Sequence, residues 1–119
     1  MTTRVLIVDD EPSIRHMLRQ VLMDEGYEAD AAGSALEALE KLRDAPADVA
    51  IVDLLLPGAN GLDLAEAIRM LDPGTPVILI TAYGSSAFED MASHPAITHY
   101  IHKPFHLDRL LDLVGRCAG

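Results

Sequence analysis

Polar side chains with matching chemistry stand where apolar runs end. Asp9 and Asp10 follow the run from Arg4 to Val8, and Asp53 follows Val49 to Val52. Thr81 follows Val77 to Ile80, and Lys103 comes just past the run from Ile97 to Ile101. These runs are short, rich in β-branched residues and without helical periodicity, which marks buried strands. A carboxylate at the end of such a strand sits at the lip of a sheet, where open α/β folds place their chemistry. Pro57, Gly58, Asn60 and Gly61 turn the chain directly after Asp53 and hold it there. Carboxylates beside an ammonium and a hydroxyl suit a hard divalent cation and a phosphoryl group delivered to a carboxylate.

Each residue alone has a plainer explanation: turn carboxylates, a β-favoured threonine, a surface lysine before a proline. The electrostatics of the group argue otherwise. In a parallel sheet with strands about 4.8 Å apart, all of these side chains fall at one edge. Carboxylates about 5–6 Å apart repel by roughly 3 kcal/mol per pair at an effective dielectric of about 20. Three such pairs approach the stability of a whole domain. Lys103 offsets part of this, and a divalent cation offsets more. Mg2+, with Mn2+ as the alternative ion, takes one or two carboxylates directly and keeps several waters. Asp9, Asp10, Asp53 and the backbone carbonyl of Leu55 are the expected protein ligands. Asp53 is then the nucleophile toward phosphorus, with Lys103 and Thr81 contacting the phosphoryl oxygens.

The elements that must position these residues alternate in type. After Arg4–Val8, Pro12 fits a first helical position with an acidic residue before it as cap. Ile14, Leu18, Val21 and Leu22 recur at helical spacing until Gly26. A weaker strand over Tyr27–Ala31 precedes a capping-box spacing at Ser34–Glu37, with Leu36, Leu39 and Leu42 as the expected buried stripe. Beyond Asp53, Leu64, Ala65, Ile68 and Leu71 mark a third helix ending at Asp72-Pro73-Gly74. A fourth, around Ser85–Ser93, has only Phe88 and Met91 as large anchors, so it is the least firmly docked. Leu107, Leu110, Leu111 and Val114 form the last stripe. The expected fold is α/β: a flavodoxin-like, doubly wound (βα)5 domain with a five-stranded parallel sheet in order 2-1-3-4-5 and helices on both faces.

The chain has 119 residues, 50% hydrophobic and 24% charged, which suits one globular domain over 1–119. No apolar run reaches the roughly 20 residues of a membrane span, and no signal-peptide pattern opens the chain, so a cytoplasmic protein is expected. A net charge of −10 argues against direct binding of nucleic acid. Cys117 is the single cysteine, which removes internal disulfides and most thiolate metal sites.

The set Asp9-Asp10, Asp53 with Leu56-Pro57 and Gly61, Thr81-Ala82 and Lys103-Pro104-Phe105 resembles the receiver domain of two-component response regulators, from Arg4 to the last helix. The resemblance implies that Asp53 accepts a phosphoryl group from a phosphohistidine on a sensor histidine kinase or phosphotransfer protein. It implies a cis bond between Lys103 and Pro104. It also implies a switch in which Thr81 moves toward the phosphate and Tyr100 rotates inward. That remodels the face of the fourth helix, fifth strand and fifth helix, which controls an output domain, a partner or dimerisation.

The sequence departs from that pattern in places. Leu56 stands where methionine is frequent, a volume-conserving change. Pro95 replaces a usual glycine and cannot adopt positive φ, so the exit from the fourth helix must differ. Bulky Leu55 and Tyr83 flank the site and are expected to impede the hydrolytic water. His94, His99, His102 and His106 crowd the expected output face; His99 and His102 alternate along one strand, against a shared metal. The competing enzyme reading is a Mg2+-dependent phosphohydrolase of haloacid-dehalogenase type. It would place an Asp-x-Asp motif on the first strand, whereas here the paired aspartates are adjacent. A nucleotide- or flavin-binding role lacks its glycine-rich loop.

Overall fold

The computed structural model describes residues 2–81 and 94–118. The parallel sheet is built from β1 (Arg4–Val8), β2 (Glu28–Ala32), β3 (Val49–Asp53), β4 (Val77–Thr81) and β5 (His99–His102). The helices are α1 (Pro12–Asp24), α2 (Ala35–Asp44), α3 (Gly61–Leu71) and the C-terminal helix (Leu107–Ala118). The strands lie in the order β2-β1-β3-β4-β5, every neighbouring pair parallel. This is the 2-1-3-4-5 order expected from the sequence. The helix expected around Ser85–Ser93 lies outside the described residues.

Both β3 and β4 are buried at every position, as strands covered on two faces must be. Alternation splits the core in two. Leu6, Val8, Ala50, Val52 and Leu79 pack with Ala38, Leu42, Leu64 and Ile68 of α2 and α3. Val5, Ile7, Ile51, Ile78 and Ile80 pack with Leu18 and Leu22 of α1 and with Leu110, Leu113 and Val114 of the C-terminal helix. Because both faces are closed, chemistry is left to the strand ends.

Local signals held where a specific bond enforces them. Pro12 opens α1, and Gly26, at φ +91°, follows its end. Ser34 caps α2 by accepting from the Glu37 N–H at 3.2 Å. Two expectations need correcting. Glu11 occupies the cap position of α1 but makes no side-chain capping bond; the Asp9 carboxylate takes the Glu11 N–H instead, at 2.9 Å. Leu36 is 68% exposed, because the inward face of α2 runs through Ala35, Ala38, Leu39 and Leu42. At about 100° per residue, Leu36 falls outside that stripe.

A charged cluster ties β1, β2 and α2 together. Asp30 accepts from Lys41 Nζ at 2.9 Å, from Arg4 Nη2 at 3.3 Å and from the Ala31 N–H at 2.8 Å. Burial alone pushes the Asp30 carboxyl up, but the Lys41 and Ala31 bonds and the charges of Lys41 and Arg4 outweigh it and hold it below the ordinary aspartate value. A depressed carboxyl contributes stability above its unfolded value, about pH 4, and loses it as pH falls through the folded value. Asp30→Asn is therefore expected to cost about 0.5–1 kcal/mol at pH 7, solvent screening included. In urea denaturation at several pH values, the gap from wild type should close below about pH 4.

Candidate functional site

The ends of β1, β3, β4 and β5 meet at one edge of the sheet. At the end of β1, the Asp9 N–H donates to the Ala32 carbonyl at 3.1 Å. The next residue, Asp10, is exposed, whereas the Asp9 side chain turns inward and is buried. At the end of β3, the Leu54 N–H donates to the Ile80 carbonyl at 2.8 Å, which holds Asp53 beside β4. Asp53 is buried, and its Oδ1 accepts from the Leu55 N–H at 3.1 Å.

The turn formers after Asp53 build a two-residue antiparallel ribbon, Leu55–Leu56 against Ala59–Asn60. Pro57 and Gly58 close it, with Gly58 at φ +66° as the third residue of such a turn requires. Asn60 then caps α3, its Oδ1 accepting from the Leu62 N–H at 2.7 Å. The Gly61 N–H returns to the Leu54 carbonyl at 2.7 Å. A Cβ on Gly61 would collide with the Asp53 carbonyl oxygen and stand 2.8 Å from the Leu54 Cα. Only glycine lets α3 begin this close to the acidic strand end.

Lys103 reaches into the same space. Its Nζ donates to Asp53 Oδ2 at 3.0 Å and lies 3.7 Å from Asp9 Oδ2. Its backbone N–H donates to the Thr81 carbonyl at 2.7 Å, and the Lys103–Pro104 peptide is cis. Burial pulls the Lys103 ammonium down, but the Asp53 bond and charge, with Asp9 and Glu11, raise it above the ordinary lysine value. Asp9 is pushed the other way for a carboxyl: burial raises it, and the Asp53 charge adds to that against the Glu11 N–H and Lys103.

Oxygens of Asp9, Asp10 and Asp53 lie within 4.8 Å of one another. At that separation each ionised pair repels by roughly 3.5 kcal/mol at an effective dielectric of about 20. Asp9 Oδ2 is buried with no hydrogen-bond partner among the described residues. A buried carboxylate oxygen left unbonded beside two more carboxylates is a donor set that fits a hard divalent cation.

Thr81 is buried at the end of β4, and its partner across the ladder is His102. Tyr100 is 43% exposed, its ring edge-on to His102 with centroids 5.9 Å apart. Ala82 and Tyr83 lie outside the described residues. Leu55 is exposed beside Asp53. His94 does not join the other histidines: its Nε2 stands 2.6 Å from Glu66 Oε1 on α3, and its Nδ1 accepts from the Ala96 N–H at 3.1 Å. Pro95 sits inside the turn closed by the Ile97 N–H on the His94 carbonyl at 3.0 Å, a position that suits its fixed φ.

One residue of the site escaped the sequence reading. Arg15, in the first turn of α1, donates from Nη1 to the Asp9 carbonyl at 2.8 Å. A signal existed, since a cation in a helix's first turn runs against its dipole and calls for another reason to be there.

The family model of the response regulator receiver domain matches residues 5–115. The DNA-binding response regulator MtrA of Mycolicibacterium smegmatis is 35% identical over 105 residues, 88% of this chain and 46% of that protein. The chain thus spans about half the length of that relative. Sporulation initiation phosphotransferase F of Bacillus subtilis is 33% identical over 117 residues, 98% of this chain and 94% of that protein. Among solved structures, the response regulator TrrA of Thermotoga maritima, in complex with Mg(2+)-BeF, superposes with a TM-score of 0.87 at 39% identity, covering 98% of this chain and 99% of TrrA. The match therefore reaches from the first strand into the last helix and takes in every strand end that carries the acidic cluster and its lysine: this chain belongs to the response regulator receiver domains of two-component signalling.

Proposed function

We propose that residues 1–119 act as a phosphoacceptor module, with Asp53 taking a phosphoryl group from a phosphohistidine on a sensor histidine kinase or phosphotransfer protein. The reading is carried by Lys103 Nζ at 3.0 Å from Asp53 Oδ2, inside a carboxylate cluster within 4.8 Å. A carboxylate oxygen of Asp53 attacks phosphorus, the new O–P bond forming as the N–P bond breaks, and the electron pair stays on the imidazole nitrogen. Mg2+ held by Asp9, Asp10, Asp53 and the Leu55 carbonyl supplies positive charge for the phosphoryl oxygens when bound. Lys103 exchanges its Asp53 oxygen for a phosphoryl oxygen, and the Thr81 hydroxyl donates to another. An apolar hollow of about 440 Å³, lined by Ile14, Met17, Lys103, Pro104, Phe105 and Leu107, lies beside the lysine and suits the approach of a donor protein.

The readout is a switch. Movement of Thr81 is coupled to inward rotation of the exposed Tyr100, changing the surface of β5 and the C-terminal helix that an output domain, partner or second copy reads. A switch of this kind stores one phosphoryl group and does not turn over substrate.

Incubation with acetyl phosphate and Mg2+ tests this. Intact mass should rise by one phosphoryl group and stop there, and Asp53→Asn should show no rise. Continuous release of phosphate with no mass gain would favour a phosphohydrolase.

A further inference from the structure

We propose that Arg15 is a positioning residue for the acidic pair, acting through the peptide that joins Asp9 to Asp10, with Gly33 leaving room for its guanidinium. The inference rests on the receiver reading above. The bond from Arg15 Nη1 ends on the Asp9 carbonyl oxygen, 2.8 Å away. That oxygen belongs to the planar Asp9–Asp10 peptide, so holding it sets the directions in which both side chains leave the backbone. Asp9 is fixed on its other side by its N–H on Ala32 and by the Glu11 N–H on its carboxylate. Asp10 is exposed, so its orientation depends more heavily on the peptide before it.

The guanidinium lies against Gly33, in the turn between β2 and α2. A Cβ there would stand 3.1 Å from Arg15 Nη1, 3.4 Å from Cζ and 3.8 Å from Nη2. One half-buried side chain therefore joins the first turn of α1, the bend after β1 and the turn after β2. The carboxylates attract the guanidinium in the metal-free fold, but once a divalent cation is bound its charge works against that cation. The arginine also opposes the dipole of α1. Geometry and charge thus make opposite predictions for its removal.

Calorimetric titration of the metal-free protein with MgCl2 separates them. Arg15→Ala is expected to weaken Mg2+ binding about tenfold, as loss of an outer-shell partner does. Arg15→Lys, which can still donate to the carbonyl, should recover part of this. Gly33→Ala, which crowds the guanidinium by a few tenths of an ångström while leaving every charge in place, should weaken binding, and by less than Arg15→Ala does. If Arg15→Ala does not fold, the lysine and Gly33 variants carry the same comparison. Unchanged affinity with a lower urea midpoint would mean a merely structural arginine, and tighter binding would mean a charge effect; either overturns the proposal. Wild-type protein that binds no Mg2+ would strike the receiver reading itself and this inference with it. Wild-type protein that binds while all variants match it would strike this inference alone.

Discussion

Gly61→Ala should destabilise the domain by about 3 kcal/mol, at the upper end of what overpacking costs, and should slow phosphoryl uptake as well. The added methyl would meet the Asp53 carbonyl oxygen, the Leu54 Cα at 2.8 Å and the Asp53 carbonyl carbon at 2.9 Å. All of these are backbone atoms, so no side chain can swing away. Relief requires α3 to retreat or β3 to shift, and the Gly61 N–H bond to Leu54 pulls against the first. Whichever moves, the Asp53 carboxylate leaves its register with Lys103. A misplacement near 1 Å can cost about a hundredfold in rate. Gly58→Ala is the control. No described residue lies within 4 Å of a Cβ there, so it carries only the left-handed backbone cost of about 1–2 kcal/mol. Urea denaturation and the rate of mass gain from acetyl phosphate, measured on both variants, check the pair. Equal costs at the two glycines would contradict this account of α3 docking.

Asp9→Asn should move stability and cation affinity in opposite directions. In the metal-free fold, burial and the Asp53 charge make ionised Asp9 costly, which is why its carboxyl is raised. A raised carboxyl binds its proton more tightly folded than unfolded, so ionising it lowers stability as pH rises from the unfolded value, about 4, through the folded one. Above that window the full penalty applies. Asparagine removes it and can still accept from the Glu11 N–H. The variant is therefore expected to be more stable than wild type by about 1–3 kcal/mol at pH 7 without metal, Lys103 offsetting part of the repulsion. The advantage should vanish as pH falls below about 4. Added Mg2+ is expected to reverse the trend, because a ligand that binds only the folded state stabilises it by an amount that grows with the logarithm of its concentration relative to Kd. Wild type should gain stability with Mg2+ and the variant should gain little. Denaturation midpoints with and without MgCl2, across pH, decide this; a variant less stable than wild type without metal would show that the cluster is not under repulsion.

The Asp9 expectation arises because the strand ends bring together carboxylates that repel one another. Carboxylates within 4.8 Å are tolerated since β1 and β3 are locked from both faces, by Leu18 and Leu22 on one side and Leu64 and Ile68 on the other. The rigid core absorbs the local repulsion, and the lysine with its raised ammonium relieves part of it.

The strand order and the convergence of Asp9, Asp10, Asp53 and Lys103 at one sheet edge were legible in the amino-acid sequence. The physical reason is local. Doubly buried strands must be continuous apolar runs, the residues that end them are visible by contrast, and parallel connections leave few topologies to choose from. What only the tertiary structure decided depends on pieces distant along the chain. The inward face of α2 left Leu36 outside and took Ala38 instead, because the stripe is set by where β1, β2 and α3 lie and not by side-chain size. Glu11 makes no side-chain cap on α1; its own N–H is held by Asp9, through a bend whose shape the helix pattern does not contain. Arg15 and Gly33 lie 18 positions apart and became neighbours only when β1 and β2 paired. Periodicity reports which residues turn inward; which atoms then touch is settled by the packing of whole elements against one another.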